Sequence, residues 1–268
     1  MAKKSIALIT GASSGIGLAI AKALAQRSYD LLLISNDEMG LAEAAIAIKT
    51  KYAVEIHLLF MDLSQQDAAK KIFEFCIEQQ LEVEVLVNNA GILLFGEFAA
   101  AGIEKTERIL NLHMHTPALL CAYFSKAMMR KKKGFILNIS SISAVMPYPS
   151  ISLYGPTKTF LRYFTRAIRT ELAPYGIHVS CAMPGATATA LYDPKKVNLR
   201  LAMQLGVMKT SEFVAEKTVN AMFNNKAVVI PGLMNRLVVL LFPLIPHVLL
   251  GLIYRNTSIF KKGKESLG

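Results

Sequence analysis

Tyr154 and Lys158 stand four residues apart, and Ser141 precedes the tyrosine by thirteen. Four residues is one helical turn, so the pair sets a phenol beside an ammonium on one helix face. An ordinary tyrosine, with a pKa of about 10, is a poor acid near neutrality. A neighbouring cation favours the phenolate and lowers that value. A phenol tuned in this way can give its proton to a ketone oxygen as a hydride reaches the carbon. Ser141 could hydrogen-bond the same oxygen and hold it in place. Each residue alone has an ordinary explanation, a surface pair for Tyr154 and Lys158 and a turn or cap hydroxyl for Ser141.

A hydride needs a donor, and the start of the chain offers a place for one. Thr10-Gly11-Ala12-Ser13-Ser14-Gly15-Ile16-Gly17 follows an apolar run. Without Cβ atoms, Gly11, Gly15 and Gly17 let backbone N–H groups and a helix N-terminus approach a pyrophosphate. Asn88-Asn89-Ala90-Gly91 and Pro184-Gly185-Ala186-Thr187-Ala188-Thr189 follow later apolar runs. In this order and at these intervals the motifs resemble those of the short-chain dehydrogenase/reductase family, from residue 5 to about 232. Ile230-Pro231-Gly232-Leu233 and the apolar tail resemble a bacterial subgroup of various substrate specificities.

The resemblance implies an NAD(P)-dependent oxidoreductase that interconverts a ketone and a secondary alcohol, as a homo-oligomer. It implies roles as well. Besides donating through Tyr154, the pair would hold the nicotinamide ribose with Lys158. Asn111, in Leu110-Asn111-Leu112, would hold a water that relays protons from the lysine. Asp62, in Met61-Asp62-Leu63, would hydrogen-bond the adenine amino group, unless it is a loop or cap aspartate. Asn89, Ala90 and Gly91 would line the cofactor groove with backbone. Pro184, Gly185, Thr187 and Thr189 would meet the cofactor's amide and phosphates. Ser13, Ser14 and Ile16 complete the fingerprint. A regulator or membrane-associated scaffold that keeps the fold without turnover is the rival reading, and the four residues Asn111, Ser141, Tyr154 and Lys158 argue against it.

Cofactor choice should be legible past the second strand, where NAD enzymes of this fold carry an acidic residue about 20 positions beyond the glycines. That position holds Ser35, followed by Asn36 and Asp37. The missing carboxylate favours NADP(H). The missing cation leaves NAD(H) open, as does Asp37 if the loop brings it to the ribose.

At 268 residues, one large α/β domain accounts for the chain. A hydrophobic share of 53% points to apolar surface with a use. The formal charge of +11 comes with no nucleic-acid motif, and its clusters, Arg130 to Lys133 and Lys261, Lys262 and Lys264, are not interleaved with aromatics. Nucleic acid is therefore set aside, and Arg130 to Lys133 reads as a solvated helix end. Cys76, Cys121 and Cys181 lie in apolar runs and read as buried thiols of a reducing, cytoplasmic compartment. Lys3 and Lys4 before an apolar stretch could imitate a secretory signal, but the fingerprint glycines interrupt it. His113 and His115, two apart, face different ways and cannot share a metal, and no metal is expected.

Apolar runs at Ser5 to Thr10, Asp30 to Ser35, Val54 to Phe60, Val83 to Val87, Gly134 to Ser140, Ile177 to Ala182 and Lys226 to Ile230 alternate with segments of helical period. That alternation predicts a doubly wound parallel sheet of seven strands, a Rossmann fold, over 1–232. Ala190 to Met208 would be a substrate lid whose Leu191, Val197, Leu199, Leu201, Met203, Leu205, Val207 and Met208 suit a greasy substrate or pack on the core. Residues 233–268 form an apolar and basic extension. Leu237 to Tyr254 barely reaches spanning length and is interrupted by Pro243, Pro246 and Gly251, which predicts a broken pair of helices. Such a pair could lie on the inner face of a membrane, cover the cleft or make a subunit contact. A small lipophilic carbonyl or alcohol substrate, such as a 3-oxoacyl, ketosphingoid or steroid-like compound, fits each of these.

Overall fold

The computed structural model describes residues 5–146, 149–189 and 208–256. The expected lid, Ala190 to Met208, lies outside the described residues except for Met208, which is buried, and the basic end beyond Asn256 lies outside them too.

Seven parallel strands form one sheet in the order β3-β2-β1-β4-β5-β6-β7. They run Ile6–Thr10 (β1), Asp30–Ser35 (β2), Ile56–Phe60 (β3), Val83–Asn88 (β4), Gly134–Ile139 (β5), Ile177–Ala182 (β6) and Val228–Val229 (β7). Each run predicted from the sequence becomes a strand, with ends shifted by up to two residues. β7 is the shortest because it lies at the sheet edge, pairing only through Cys181 with Val228 and Ala182 with Val229. The order reverses between β1 and β4, which is where a doubly wound sheet opens a crevice at its carboxyl edge.

Side chains in a strand alternate between faces, and here both faces are apolar because both are covered. Ala7, Ile9, Leu31, Leu33, Val85 and Val87 enter one core. There they meet α1 (Gly15–Ala25), α2 (Glu38–Lys49) and, through Val219 and Met222, the helix Ser211–Phe223. Ile6, Leu8, Leu32, Ile34 and Leu86 enter the other. Against them pack α3 (Ala68–Glu78), through Ile72, and α5 (Thr116–Lys131), through Leu120 and Phe124. The helix α6 (Tyr154–Leu172) closes that layer with Phe164 and Ile168. Strands buried on both sides are uniformly apolar, which is why they read as runs rather than as alternation.

The helix α4 (Ile103–Leu110) continues into α5 through a wide π turn at Asn111–His115. Past α6, Ser211–Phe223 is α7, Leu233–Leu241 is α8 and His247–Asn256 is α9. The break between the last two falls at Phe242–Leu244 and Pro246, where prolines deny the helix its hydrogen bonds. At the far end of α5, Lys132 takes the left-handed conformation, Lys131 pairs with Glu82 (2.5 Å) just before β4, and Lys133 pairs with Glu84 (3.0 Å) on β4. The basic cluster thus ends a helix and ties it to the sheet.

Gly17 is the position where α1 crosses closest to the turn before it. A Cβ there would collide with the Gly11 carbonyl oxygen and the Asn89 amide. Gly17→Ala should therefore destabilise the protein by about 2 kcal/mol or more and abolish binding of a dinucleotide. Urea unfolding and nucleotide titration of the variant check both effects.

Candidate active site

The turn between β1 and α1 takes its shape from two residues outside it. Thr10 Oγ1 donates to Val87 O (3.2 Å) and accepts from the N–H groups of Asn89 (2.9 Å) and Ala90 (3.1 Å). Asn89 Nδ2 in turn donates to the carbonyls of Thr10 (2.9 Å) and Gly11 (3.1 Å). Asn89 thus contributes a side chain as well as the backbone expected of it. Gly11 and Gly15 lie at φ +65° and +56°, a region that favours glycine. Ser14 caps α1 with no side-chain hydrogen bond, so the first-turn N–H groups keep their capacity for an anion.

A cleft of about 780 Å³ opens over these turns. The fingerprint contributes Gly11, Ser13, Ser14, Gly15 and Ile16, and the end of β2 contributes Ser35 and Asn36. Asp62 and Leu63 follow β3, while Asn89, Ala90 and Gly91 follow β4. Ser141, Tyr154 and Lys158 form the opposite wall, with Pro184, Gly185, Thr187 and Thr189 after β6. Gly17 and Asn111 are the two expected residues outside the lining. Gly17 lies behind Gly11 as a packing residue. Asn111 opens the π turn, where its carbonyl accepts from the Thr116 N–H.

Beyond β2, Ser35 Oγ is 3.0 Å from Ser13 Oγ and accepts weakly from the Asp37 N–H (3.3 Å). Asp37 turns away from the cleft and caps α2, accepting from the Gly40 N–H at 3.0 Å. Ser35 and Asn36 are therefore what the cleft presents there. Asp62 accepts from the Ser64 N–H (2.9 Å) and hydroxyl (2.8 Å), with Arg108 at 4.0 Å. Burial opposes its charge, but these donors and the cation outweigh it and hold the carboxyl below its usual range.

Lys158 is buried, with its Nζ donating to the carbonyl of Ile139 at 3.0 Å and standing 5.6 Å from the centre of the Tyr154 ring. Burial disfavours the ammonium and lowers its pKa to about 8, against a smaller opposing influence from Cys181. Ser140 Oγ fixes the next turn by donating to the Lys158 carbonyl (2.7 Å). Ser141 is extended, and its Oγ accepts from the Ser143 N–H at 3.1 Å. The hydroxyl proton of Ser141 points to no acceptor among these bonds, which suits a donor to substrate.

Two contributors to the site carried no sequence signal. His113 is fully buried beneath the cleft, its ring edge-on to Tyr154 at 5.7 Å. His115, two residues on, faces another way, toward Gln66 O (3.3 Å). Asn235, on α8, sits where a Cβ on Gly185 would go and donates to Pro231 O at 2.6 Å. Among the described residues, no cluster of histidines, cysteines and acids could hold a metal.

Residues 5–199 match the model for short chain dehydrogenases. The chain belongs to the short-chain dehydrogenase family. Among curated proteins, it is 32% identical over 197 residues to the very-long-chain 3-oxoacyl-CoA reductase-A of Danio rerio, covering 72% of this chain and 61% of the relative. The very-long-chain 3-oxoacyl-CoA reductase of Anas platyrhynchos is 33% identical over 189 residues, covering 69% and 60%. The matches thus span about three fifths of these relatives. Among solved structures, the short-chain dehydrogenase from Sphingobium yanoikuyae in complex with NADPH superposes with a TM-score of 0.78 at 26% identity, covering 95% of this chain and 97% of that one.

Proposed function

We propose that this family member reduces a ketone on a lipophilic molecule to a secondary alcohol, taking its hydride from NADPH. The observation that carries the reading is the joint placement of Ser141, Tyr154 and Lys158 on the wall of a cleft whose other side is the glycine turn. The residues fit a dinucleotide: an uncapped helix start at Ser14, glycines at positive φ, and side-chain donors at Ser13 and Ser35. Gly11 to Ile16 would hold its pyrophosphate, Asp62 its adenine, Lys158 its nicotinamide ribose, and Pro184 to Thr189 its nicotinamide end. Such a cofactor supplies the hydride. Ser141 then orients the ketone oxygen, and Tyr154 transfers its phenol proton to that oxygen as the carbon is reduced. The phenolate left behind is stabilised by the Lys158 ammonium, which also hands back a proton; Asn111 is proposed to hold the water that feeds the lysine.

Preference for NADPH rests on Ser35 and Asn36 facing the cleft while Asp37 is spent on its helix cap. No carboxylate there repels a 2′-phosphate. The similarity to very-long-chain 3-oxoacyl-CoA reductases and the apolar cleft residues Leu93, Phe95 and Met146 support a long-chain substrate. The enzyme is taken to be cytoplasmic and, in keeping with its family, a homo-oligomer.

The C-terminal helices have two sides. Inward, Val239 packs on the cluster of Ala144, Cys181 and Met183, and Tyr254 donates to Glu97 at 3.3 Å. Outward, Leu233, Met234, Leu240, Leu244 and Val248 are each more than half exposed, with Phe95 and Phe98 also exposed near Glu97. Between Glu216 and Glu265 the sequence has no acidic residue, while Arg236, Arg255, Lys261, Lys262 and Lys264 are basic. No helix among the described residues is long and apolar enough to cross a membrane. These features support docking of the outer face on an anionic bilayer, with 190–208 proposed as the substrate lid and 233–268 as an extension that both covers the cleft wall and meets lipid.

Tyr154→Phe should lower turnover of a 3-oxoacyl substrate at least a hundredfold with NADPH affinity within about twofold of wild type. Retention of a tenth of the activity would assign the proton to another group, and a protein that binds NADPH but reduces no ketone would be the regulator instead. Below pH 8 Lys158 is cationic and above it neutral in the free enzyme, so kcat/KM for reduction should fall as pH rises through about 8.

Ser35→Asp should reverse the cofactor preference by offering the ribose hydroxyl an acceptor and repelling a phosphate. Steady-state efficiencies with NADPH and NADH decide this, and a wild-type enzyme as efficient with NADH would refute it.

Full-length protein should sediment with phosphatidylglycerol vesicles and be released poorly by salt, because apolar burial at about 25 cal/mol per Å² outweighs screened charge. Leu240→Glu combined with Val248→Glu should abolish sedimentation with an unchanged melting temperature. Wild-type protein that stays in the supernatant at low salt would leave the helices as a cover or a subunit contact.

A further inference from the structure

His113 is a buried titratable side chain beside the cleft to which the proposed proton transfer gives no task. It stands on the π turn between α4 and α5, where the extra residue in the turn directs it at the sheet end. Its Nε2 accepts from the Ile92 N–H at 3.0 Å. A backbone amide can only donate, so the ring proton belongs on Nδ1. That atom is 2.9 Å from Thr157 Oγ1, and the Thr157 hydroxyl is 2.9 Å from the Tyr154 carbonyl. The three bonds therefore run one way, from the loop after β4, through the imidazole and a threonine, to the first turn of α6.

The backbone of that first turn is also held from its N-terminal side, by Gly155 N–H to Ile151 O at 3.0 Å and Thr157 N–H to Leu153 O at 3.1 Å, so the imidazole chain adds the tie to the loop after β4. Leu153, its cap, makes no side-chain hydrogen bond. The ionisable groups on α6 near the ring are Tyr154, edge-on at 5.7 Å, and Lys158, whose charge opposes protonation of the imidazole. Gly91 lies between imidazole and ammonium: a Cβ there would be 3.0 Å from His113 Nε2 and 3.5 Å from Lys158 Nζ. A protonated His113 would place a second cation at this point and leave the Ile92 N–H without its acceptor. Burial, and then the charge of Lys158, keep the ring neutral, well below the usual histidine range.

We propose that His113 is a positioning residue, a neutral imidazole that fastens the Tyr154 turn of α6 to the cleft floor at Ile92 and so sets where the phenol points. This rests on the ketone-reductase reading for its kinetic consequence, though not for its geometry. No metal or substrate contact is invoked.

The test compares His113→Leu with His113→Gln, whose Oε1 can still accept from Ile92. His113→Leu should lower kcat tenfold or more with ketone KM and NADPH affinity within about threefold, and His113→Gln should restore at least a third of the lost rate. Adding Thr157→Val to His113→Leu should cost less than a further twofold, because the chain is already cut. Loss of kcat by less than threefold in His113→Leu, or no rescue by glutamine, overturns the proposal. Nitrogen-15 spectra of wild-type protein should show His113 protonated at Nδ1 alone from pH 5.5 to 8; a proton on Nε2, or titration in that range, also overturns it. If the wild type reduces no ketone, the reductase reading fails by itself. The Tyr154 ionisation, read as phenolate absorbance against matched Tyr154→Phe variants, then decides: a shift of about half a unit or more in His113→Leu supports the positioning role, and an unchanged value refutes it.

Discussion

A single hydroxyl, that of Thr10, holds together the two strand ends on which the site is built. It donates to β4 at Val87 and accepts from the backbone of Asn89 and Ala90, so the glycine turn after β1 and the loop after β4 are one unit. Asn89 strengthens the union by returning two bonds to the carbonyls of Thr10 and Gly11. Buried backbone groups at strand ends have lost their ladder partners and must find others. Here they find each other, at the point where the strand order reverses and the crevice opens. Gly17 then lets α1 close over this knot.

The opposite wall is organised by burial of charge. Lys158 lies in a low-dielectric setting, held by the Ile139 carbonyl, and that burial brings its pKa to about 8. A cation so placed acts strongly on a nearby phenol because little water screens it. It also constrains its neighbours. Cys181 and His113, both close to it, remain uncharged: the thiol through burial that pushes it up to about 11, the imidazole through burial that pushes it down. One buried charge with neutral, hydrogen-bonded neighbours is the economical solution, since a second would need a partner of its own.

Beyond the sheet, α8 and α9 reconcile two demands on one sequence. Their inner residues, Asn235, Val239, Leu250 and Tyr254, serve the fold, while their outer leucines remain uncovered. Asn235 shows how closely they are fitted, because its amide occupies the space a side chain at residue 185 would need. Gly185 thus answers to a helix fifty residues later as well as to the turn it ends.

The doubly wound sheet was legible in the sequence because its strands are buried on both faces and so appear as unbroken apolar runs closed by turn residues. Ser141, Tyr154, Lys158 and the glycine fingerprint were legible because each lies at a fixed offset from a strand end or within one helical turn, distances that local geometry sets. Asp37 could not be assigned from sequence, since whether it reaches the cleft or caps α2 depends on a loop conformation. The same limit hid His113 and Asn235. Their partners, Ile92 and Thr157 for the one and Pro231 with Gly185 for the other, meet them by packing of separate elements, and a lone histidine or asparagine has no periodicity to betray it. Composition and spacing thus determined the elements and the chemistry-bearing groups; only the tertiary fold decided which buried polar side chains hold those groups in place, because a hydrogen bond between distant segments exists only once the core has brought them together.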